Sequence, residues 1–187
     1  MIFPSRHATG WVEVITGGMF CGKSEELIRR IKRAIIAKLN VVVFKPAKDD
    51  RYHAEDVVSH SQFRITAIPV ESASDIIKNI EIGTHVVGID EAQFFGEDLF
   101  PICEDLANKG LRVIVAGLDQ DFRGVPFSPM PNLMAVAEIV TKLQAICMRC
   151  GAPATKSQRL INSKEQIVVG ESDLYEARCR FCFEKPK

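Results

Sequence analysis

The chain has 187 residues, 47% of them hydrophobic, and a formal net charge of +0. That length and apolarity support a sizeable core, one domain with room for a small appendage, and exclude an intrinsically disordered chain. Neutrality argues against a protein that coats nucleic acid through general positive charge, without excluding a local basic face, and no apolar run approaches the ~20 residues of a membrane span.

Met1 to Gly10 contains Arg6 and His7, lacks the apolar core of a signal peptide, and reads as a loose arm of a soluble, cytoplasmic chain. Trp11 to Thr16 reads as a strand. It runs into Gly17-Gly18-Met19-Phe20-Cys21-Gly22-Lys23-Ser24, which fits the P-loop pattern G-x-x-x-x-G-K-[ST]. Glycines there let backbone N–H groups turn inward on phosphate oxygens. Lys23 adds a positive charge for the β- and γ-phosphates, and the Ser24 hydroxyl can hold Mg²⁺. The alternative is a glycine-rich turn between strand and helix. A helical stripe follows at Leu27, Ile28, Ile31, Ala34 and Ile35, with Arg29, Arg30, Lys32 and Arg33 off it. Strand, loop and helix together point to a nucleoside triphosphate site.

Asn40 to Lys45 reads as a buried strand ended by Pro46. Lys48 to Tyr52 is either an ordinary surface loop or, lying past a strand end, part of a ligand site. Val57 to Pro69 suggests an extended hairpin with His60 at its turn. Ser72 to Asp75 is a helix start, with Ile76, Ile77 and Ile80 as its apolar face and Gly83 as its close. His85 to Asp90 is the next buried strand. It ends in Asp90-Glu91, two carboxylates that are costly there unless a cation lies nearby, and Asp90 suits the Mg²⁺-orienting acid of a P-loop protein. Leu99, Ile102, Cys103 and Leu106 mark a helix, with Cys103 as a core residue. Arg112 to Leu118 is a strand. Phe122 and Phe127 in the loop after it either plug the core edge or line a pocket for a flat ligand. Leu133 to Ile139 reads as a short helix and Thr141 to Ile146 as the last strand of the main body. Strands alternating with helices imply a mainly parallel α/β sheet flanked by helices.

Cys147-Met148-Arg149-Cys150 and Cys179-Arg180-Phe181-Cys182 are two C-x-x-C pairs, with residues 151–178 between them. That gap exceeds the usual zinc-ribbon spacing, yet two matched pairs supply four thiolates for one tetrahedral, structural Zn²⁺. A redox dithiol or buried neutral cysteines are the alternatives. The organisation expected is a P-loop domain over residues 1–146 and a zinc-binding domain over 147–187, the latter tying a loop at its base.

The chain resembles the type II thymidine kinases over about Gly10 to Phe183. The resemblance rests on the P-loop, Asp90-Glu91-Ala92-Gln93-Phe94-Phe95, Gly117-Leu118-Asp119 with Phe122 and Pro126-Phe127, Lys142-Leu143, and Tyr175 ahead of the second cysteine pair. Cys21 stands where members often have serine. The resemblance implies transfer of the ATP γ-phosphoryl group to the 5′-hydroxyl of thymidine, and of deoxyuridine. Gly17 to Ser24, Asp49, Asp50, Arg51, Asp90 and Gln93 would serve ATP and Mg²⁺, and Glu91 would be the general base. Met19, Phe94, Leu118, Phe122, Phe127, Val168, Val169, Gly170 and Tyr175 would enclose thymidine under a zinc-tied lasso. Arg123 is a further candidate for phosphate charge. The family also implies a homotetramer and feedback by the end product dTTP. Two rival classes are a P-loop ATPase gripping single-stranded nucleic acid, for which Arg149, Lys156, Arg159, Arg178 and Arg180 would speak, and a nucleotide sensor without a catalytic base, against which Glu91 speaks.

Overall fold

The computed structural model describes residues 10–47, 56–58, 64–163, 165–168 and 174–185. The elements run β1 (Trp11–Gly17), α1 (Lys23–Ile36), β2 (Val41–Pro46), β3 (Asp56–Val58), β4 (Arg64–Thr66), β5 (Ile68–Val70), α2 (Ala73–Lys78), β6 (Val86–Ile89) and a 3₁₀ turn (Ala92–Phe94). They continue with α3 (Leu99–Asn108), β7 (Arg112–Leu118), α4 (Met130–Val136), β8 (Ile139–Lys142), β9 (Ala145–Ile146), β10 (Pro153–Ala154), β11 (Lys156–Arg159) and β12 (Tyr175–Arg178).

Six strands form one sheet in the order β5-β2-β6-β7-β1-β8, and all its pairings are parallel. The central strands are apolar on both faces because both faces are covered. On one face Leu27, Ile28, Ile31 and Ala34 of α1 pack against Ile15, Val43, Ile114 and Ala116. On the other, α2, α3 and α4 bring Ile76, Leu99, Cys103, Leu106 and Leu133 onto Val14, Phe44, Val87 and Val115. Each large side chain fully buried this way contributes about 1.5–3 kcal/mol. Cys103 is a core residue, its thiol pushed far up by burial.

The helical stripe of α1 differs from the sequence reading at both edges. Ile35, in the last turn, is 52% exposed, and packing on the sheet ends at Ala34. Arg30, expected off the stripe, is buried. The cause is Glu13, a carboxylate on the α1 face of β1 that is 3% exposed and needs a cation. Arg30 Nη1 meets Glu13 Oε2 at 2.7 Å and Arg112 Nε meets Oε1 at 2.6 Å. Arg30 Nη2 also donates to Thr141 Oγ1 at 2.7 Å, so the network ties α1, β1, β7 and β8 together.

Four further boundaries move. The Ser72 side chain and Asp75 close a capping box, as their spacing predicts, but α2 ends at Lys78, before Ile80 and Gly83. Ile76 is buried while Ile77 is 44% exposed, because neighbours on a helix point about 100° apart and one face alone meets the sheet. The hairpin expected at Val57 to Pro69 exists as β3 against β4, but Ile68 and Pro69 belong to β5, which lies parallel to β2 at the sheet edge. His60 lies outside the described residues. The helix expected at Leu133 to Ile139 starts earlier, with a proline in its first turn, and stops at Val136. Ile139 then opens β8, which covers the free side of β1. The strand expected at Thr141 to Ile146 is therefore two, since Ala145 and Ile146 pair antiparallel with β10.

Candidate functional site

The loop from Gly17 to Ser24 joins β1 to α1. Gly17 has φ 145°, and a Cβ there would lie 2.4 Å from the Leu143 carbonyl oxygen, so no other residue fits. Phe20 and Gly22 are both left-handed, at φ 64° and 83°, and between them turn the chain into the helix start. Lys23 Nζ folds back and donates to the Gly18 carbonyl at 2.7 Å. Burial pushes the Cys21 thiol up, and its side chain packs against the C-terminal cysteine cluster.

At the end of β6 the two carboxylates take different surroundings. Asp90 is 6% exposed, accepts the Ser24 hydroxyl at Oδ2 and the Glu91 N–H at Oδ1, each at 2.9 Å, and so reaches the phosphate loop directly. Burial, then the charge of Glu91, push Asp90 up to about 7. The Ser24 hydroxyl and the Asp90 carboxylate together form an oxygen donor set suited to Mg²⁺. Glu91 is left-handed at φ 49°, a costly conformation for a residue with a side chain. Gln93 follows, buried, with its amide donating to Glu91 Oε2 and accepting the Leu118 N–H at 2.9 Å. Each end of its amide thus has a partner, the Glu91 carboxylate on one side and the Leu118 N–H on the other.

Glu91 also lines a cleft of about 470 Å³, open solvent at its mouth included. Met19, Phe94 and Leu118 line it from the sheet side. Phe122, Phe127, Tyr175 and Val168 line it as well. The two phenylalanines are both buried and both line this cleft. Asp49, Asp50, Arg51, Val169 and Gly170 lie outside the described residues.

Arg159 was not anticipated as a cleft residue. It is 7% exposed, its guanidinium 3.6 Å above the Phe122 ring centroid. It donates to the Tyr175 hydroxyl at 2.8 Å and to the carbonyls of Ser163, Glu165 and Gln166. Tyr175 in turn donates to the Val168 carbonyl at 2.9 Å. One arginine therefore fixes the segment that roofs the cleft, and the polar run Lys156 to Arg159 carries no sequence signal for it. Arg123, a candidate for phosphate charge, is paired with the buried Asp121 at 2.6 Å. Two fragments of the sequence resemblance meet behind the site. Lys142 Nζ lies 2.7 Å from Asp119 Oδ2, an ion-pair contact off the hydrogen-bonding angle, and neither Asp119 oxygen accepts a hydrogen bond among the described residues.

The four cysteine sulfurs of Cys147, Cys150, Cys179 and Cys182 all lie within 4.8 Å of one another, and Cys150 and Cys179 are 3.6 Å apart. Four thiolates at ~2.3 Å around a tetrahedral Zn²⁺ lie about 3.8 Å apart, so the cluster fits that ion. Burial opposes ionisation of Cys147, but backbone N–H groups of Cys179, Arg149 and Cys150 more than offset it and bring the thiol down to about 6. β12 leads straight into Cys179, so the cluster stands at the base of the β11–β12 ribbon that carries the roof. Among the described residues no helix is long and apolar enough to cross a membrane.

A family model described as thymidine kinase matches residues 10–183.

Proposed function

The chain belongs to the thymidine kinase family, and from that premise we propose that it transfers the γ-phosphoryl group of ATP to the 5′-hydroxyl of thymidine, and of deoxyuridine, giving the 5′-monophosphate and ADP. One observation carries the reading. The Asp90-Glu91 pair faces two ways: Asp90 is bonded to Ser24 of the phosphate loop, and Glu91 stands in the wall of the cleft. Adjacent residues would thereby join the phosphate loop to a cleft walled by aromatic and apolar side chains.

Backbone N–H groups of the loop from Gly17 to Gly22, apart from that of Met19, which Ser157 holds, would face the phosphates, and Lys23 would swing from the Gly18 carbonyl to the β- and γ-phosphates. Ser24 and Asp90 would hold Mg²⁺, which neutralises charge on the phosphate oxygens when bound. Asp49, Asp50 and Arg51 complete the ATP side. Glu91 accepts the proton of the 5′-hydroxyl as that oxygen forms its bond to the γ-phosphorus and the bond to the ADP oxygen breaks. Gln93 keeps the Glu91 carboxylate aimed. Met19, Phe94, Leu118, Phe122, Phe127 and Tyr175 enclose base and sugar, and main-chain groups of Val168, Val169 and Gly170 read the base edge. The four cysteines would hold a structural Zn²⁺ that ties the roof at its foot. Residues 1–146 form the nucleotide-binding domain and 147–187 the lasso domain. The wider reading is a cytoplasmic homotetramer of nucleotide salvage, inhibited by dTTP and engaging neither nucleic acid nor membrane.

Phosphorus NMR of the protein with ATP, Mg²⁺ and thymidine tests the transfer. Equal amounts of ADP and nucleoside monophosphate are expected; ADP with inorganic phosphate and no nucleotide ester contradicts it.

A further inference from the structure

One four-residue strand touches both halves of the site. Along β11, Ser157 and Arg159 are buried while Lys156 and Gln158 alternate to the other face. Arg159 organises the roof of the cleft through Tyr175 and the carbonyls of Ser163, Glu165 and Gln166. Two positions earlier, the Ser157 hydroxyl accepts the Met19 N–H at 2.9 Å. Met19 belongs to the phosphate loop, and its side chain lines the nucleoside cleft. Gly18 backs onto the same strand: a Cβ there would lie 3.4 Å from Ser157 Oγ and from the Thr155 carbonyl carbon. Across the ribbon Ser157 faces Ala177, which is packed into the cysteine-cluster core. The hydroxyl is therefore fixed from behind and leans directly on the loop.

We propose that Ser157 is a positioning residue that couples the nucleoside cleft to the phosphate loop. A nucleoside under the roof bears on Arg159 through the carbonyls and the Tyr175 hydroxyl that it binds, and so on β11. The Ser157 hydroxyl passes that constraint to the Met19 amide, which fixes the loop around ATP. The link works both ways, since a coupling free energy between two binding sites is reciprocal. Removing the hydroxyl leaves a half-buried amide without its acceptor, so the loop gains freedom; Ser157 also lines the cleft, whose wall loses one oxygen while Arg159, Tyr175 and the phosphate loop stay in place. The inference rests on the ATP and thymidine reading above.

Calorimetric titration of the full, zinc-replete chain tests it. A non-hydrolysable ATP analogue with Mg²⁺ is titrated with and without saturating thymidine, and thymidine with and without the analogue. In the unsubstituted protein each ligand should tighten the other by the same factor, on the order of fivefold or more. In Ser157→Ala that factor should fall towards one while each ligand alone still binds; Ser157→Thr, which keeps the hydroxyl, should retain it. If the alanine variant does not fold, Ser157→Val against Ser157→Thr gives the same comparison at matched size. General loosening of the fold does not erase the factor while sparing the separate affinities. Undiminished coupling in Ser157→Ala or Ser157→Val, or none in the unsubstituted protein, overturns the proposal. A protein that binds the analogue but never thymidine overturns the thymidine reading itself, and the coupling with it.

Discussion

Gln93 donates its side-chain amide to Glu91 Oε2 while its carbonyl oxygen accepts the Leu118 N–H, so the proposed base is braced against the end of a central strand. Glu91 needs the brace, because its backbone is held in the left-handed region. Replacing Glu91 by Gln keeps the shape and removes the proton acceptor. General-base assistance is worth ~10²–10⁴-fold, so kcat should fall by that order with ATP affinity little changed. Near-normal turnover at saturating thymidine takes the role away from Glu91.

Gln93→Leu preserves most of the volume and deletes both hydrogen bonds. The carboxylate stays but loses its aim, and misplacement of a catalytic group by about 1 Å can cost ~10²-fold. The expected result is a kcat about 10- to 100-fold lower, with the KM for ATP within about twofold. An equal loss in the KM for ATP and none in kcat would move Gln93 back to the phosphate side.

The Glu13 network predicts the acid limit of stability. Burial alone would raise Glu13, but hydrogen bonds from Arg112, Trp11 and Arg30 outweigh it and hold the carboxyl below its usual range. A carboxyl lowered in the folded state adds stability that is present above the unfolded-state value and lost as pH falls through the folded one. Melting temperature should therefore drop as pH falls below about 4.5, its ordinary value. Glu13→Gln should lose about 3 kcal/mol at pH 7, since it leaves Arg30 buried without its counter-ion. The variant should also show a flatter acid slope. Parallel acid profiles for both proteins would show that Glu13 is not the group responsible.

Much of this site is legible in the sequence where chemistry is local. The phosphate loop, the Asp90-Glu91 pair and the two C-x-x-C pairs each declare themselves within a few residues. Their neighbours do not. Arg30 reads as one more solvated charge on a basic helix face until Glu13, one strand away, demands a cation. Arg159 and Ser157 sit in a polar run and are buried by partners far away in sequence, among them Phe122 and Tyr175 at Arg159 and the Met19 amide at Ser157. β8 has no strand signature of its own, because Ile139 and Val140 lack a buried face; their strand exists through pairing with β1. Side chains defined by distant partners leave no periodic trace.

The cysteine cluster should matter more to the nucleoside than to ATP. Cys179→Ser removes one of four thiolates at the foot of the β11–β12 ribbon and weakens the metal. Thymidine affinity should fall by about tenfold or more, that of the ATP analogue by clearly less. Elemental analysis of protein purified without chelator should find one zinc per chain, and finding no metal removes the structural-zinc reading.

The central claim is that this chain phosphorylates thymidine in a cleft whose roof reads the base with main-chain groups. Thymine offers N3–H as donor and O4 as acceptor; cytosine reverses both, and a fixed backbone cannot exchange its own donors and acceptors to follow. Each mismatched buried group costs ~1–3 kcal/mol, and sites built this way reject a wrong partner by ~10⁴–10⁵-fold. Deoxyuridine lacks only the methyl group, a difference of roughly 1–3 kcal/mol. The decisive measurement is kcat/KM for thymidine, deoxyuridine and deoxycytidine under one set of ATP and Mg²⁺ conditions. The account predicts strong use of thymidine, appreciable use of deoxyuridine and almost none of deoxycytidine; comparable values for thymidine and deoxycytidine would contradict it.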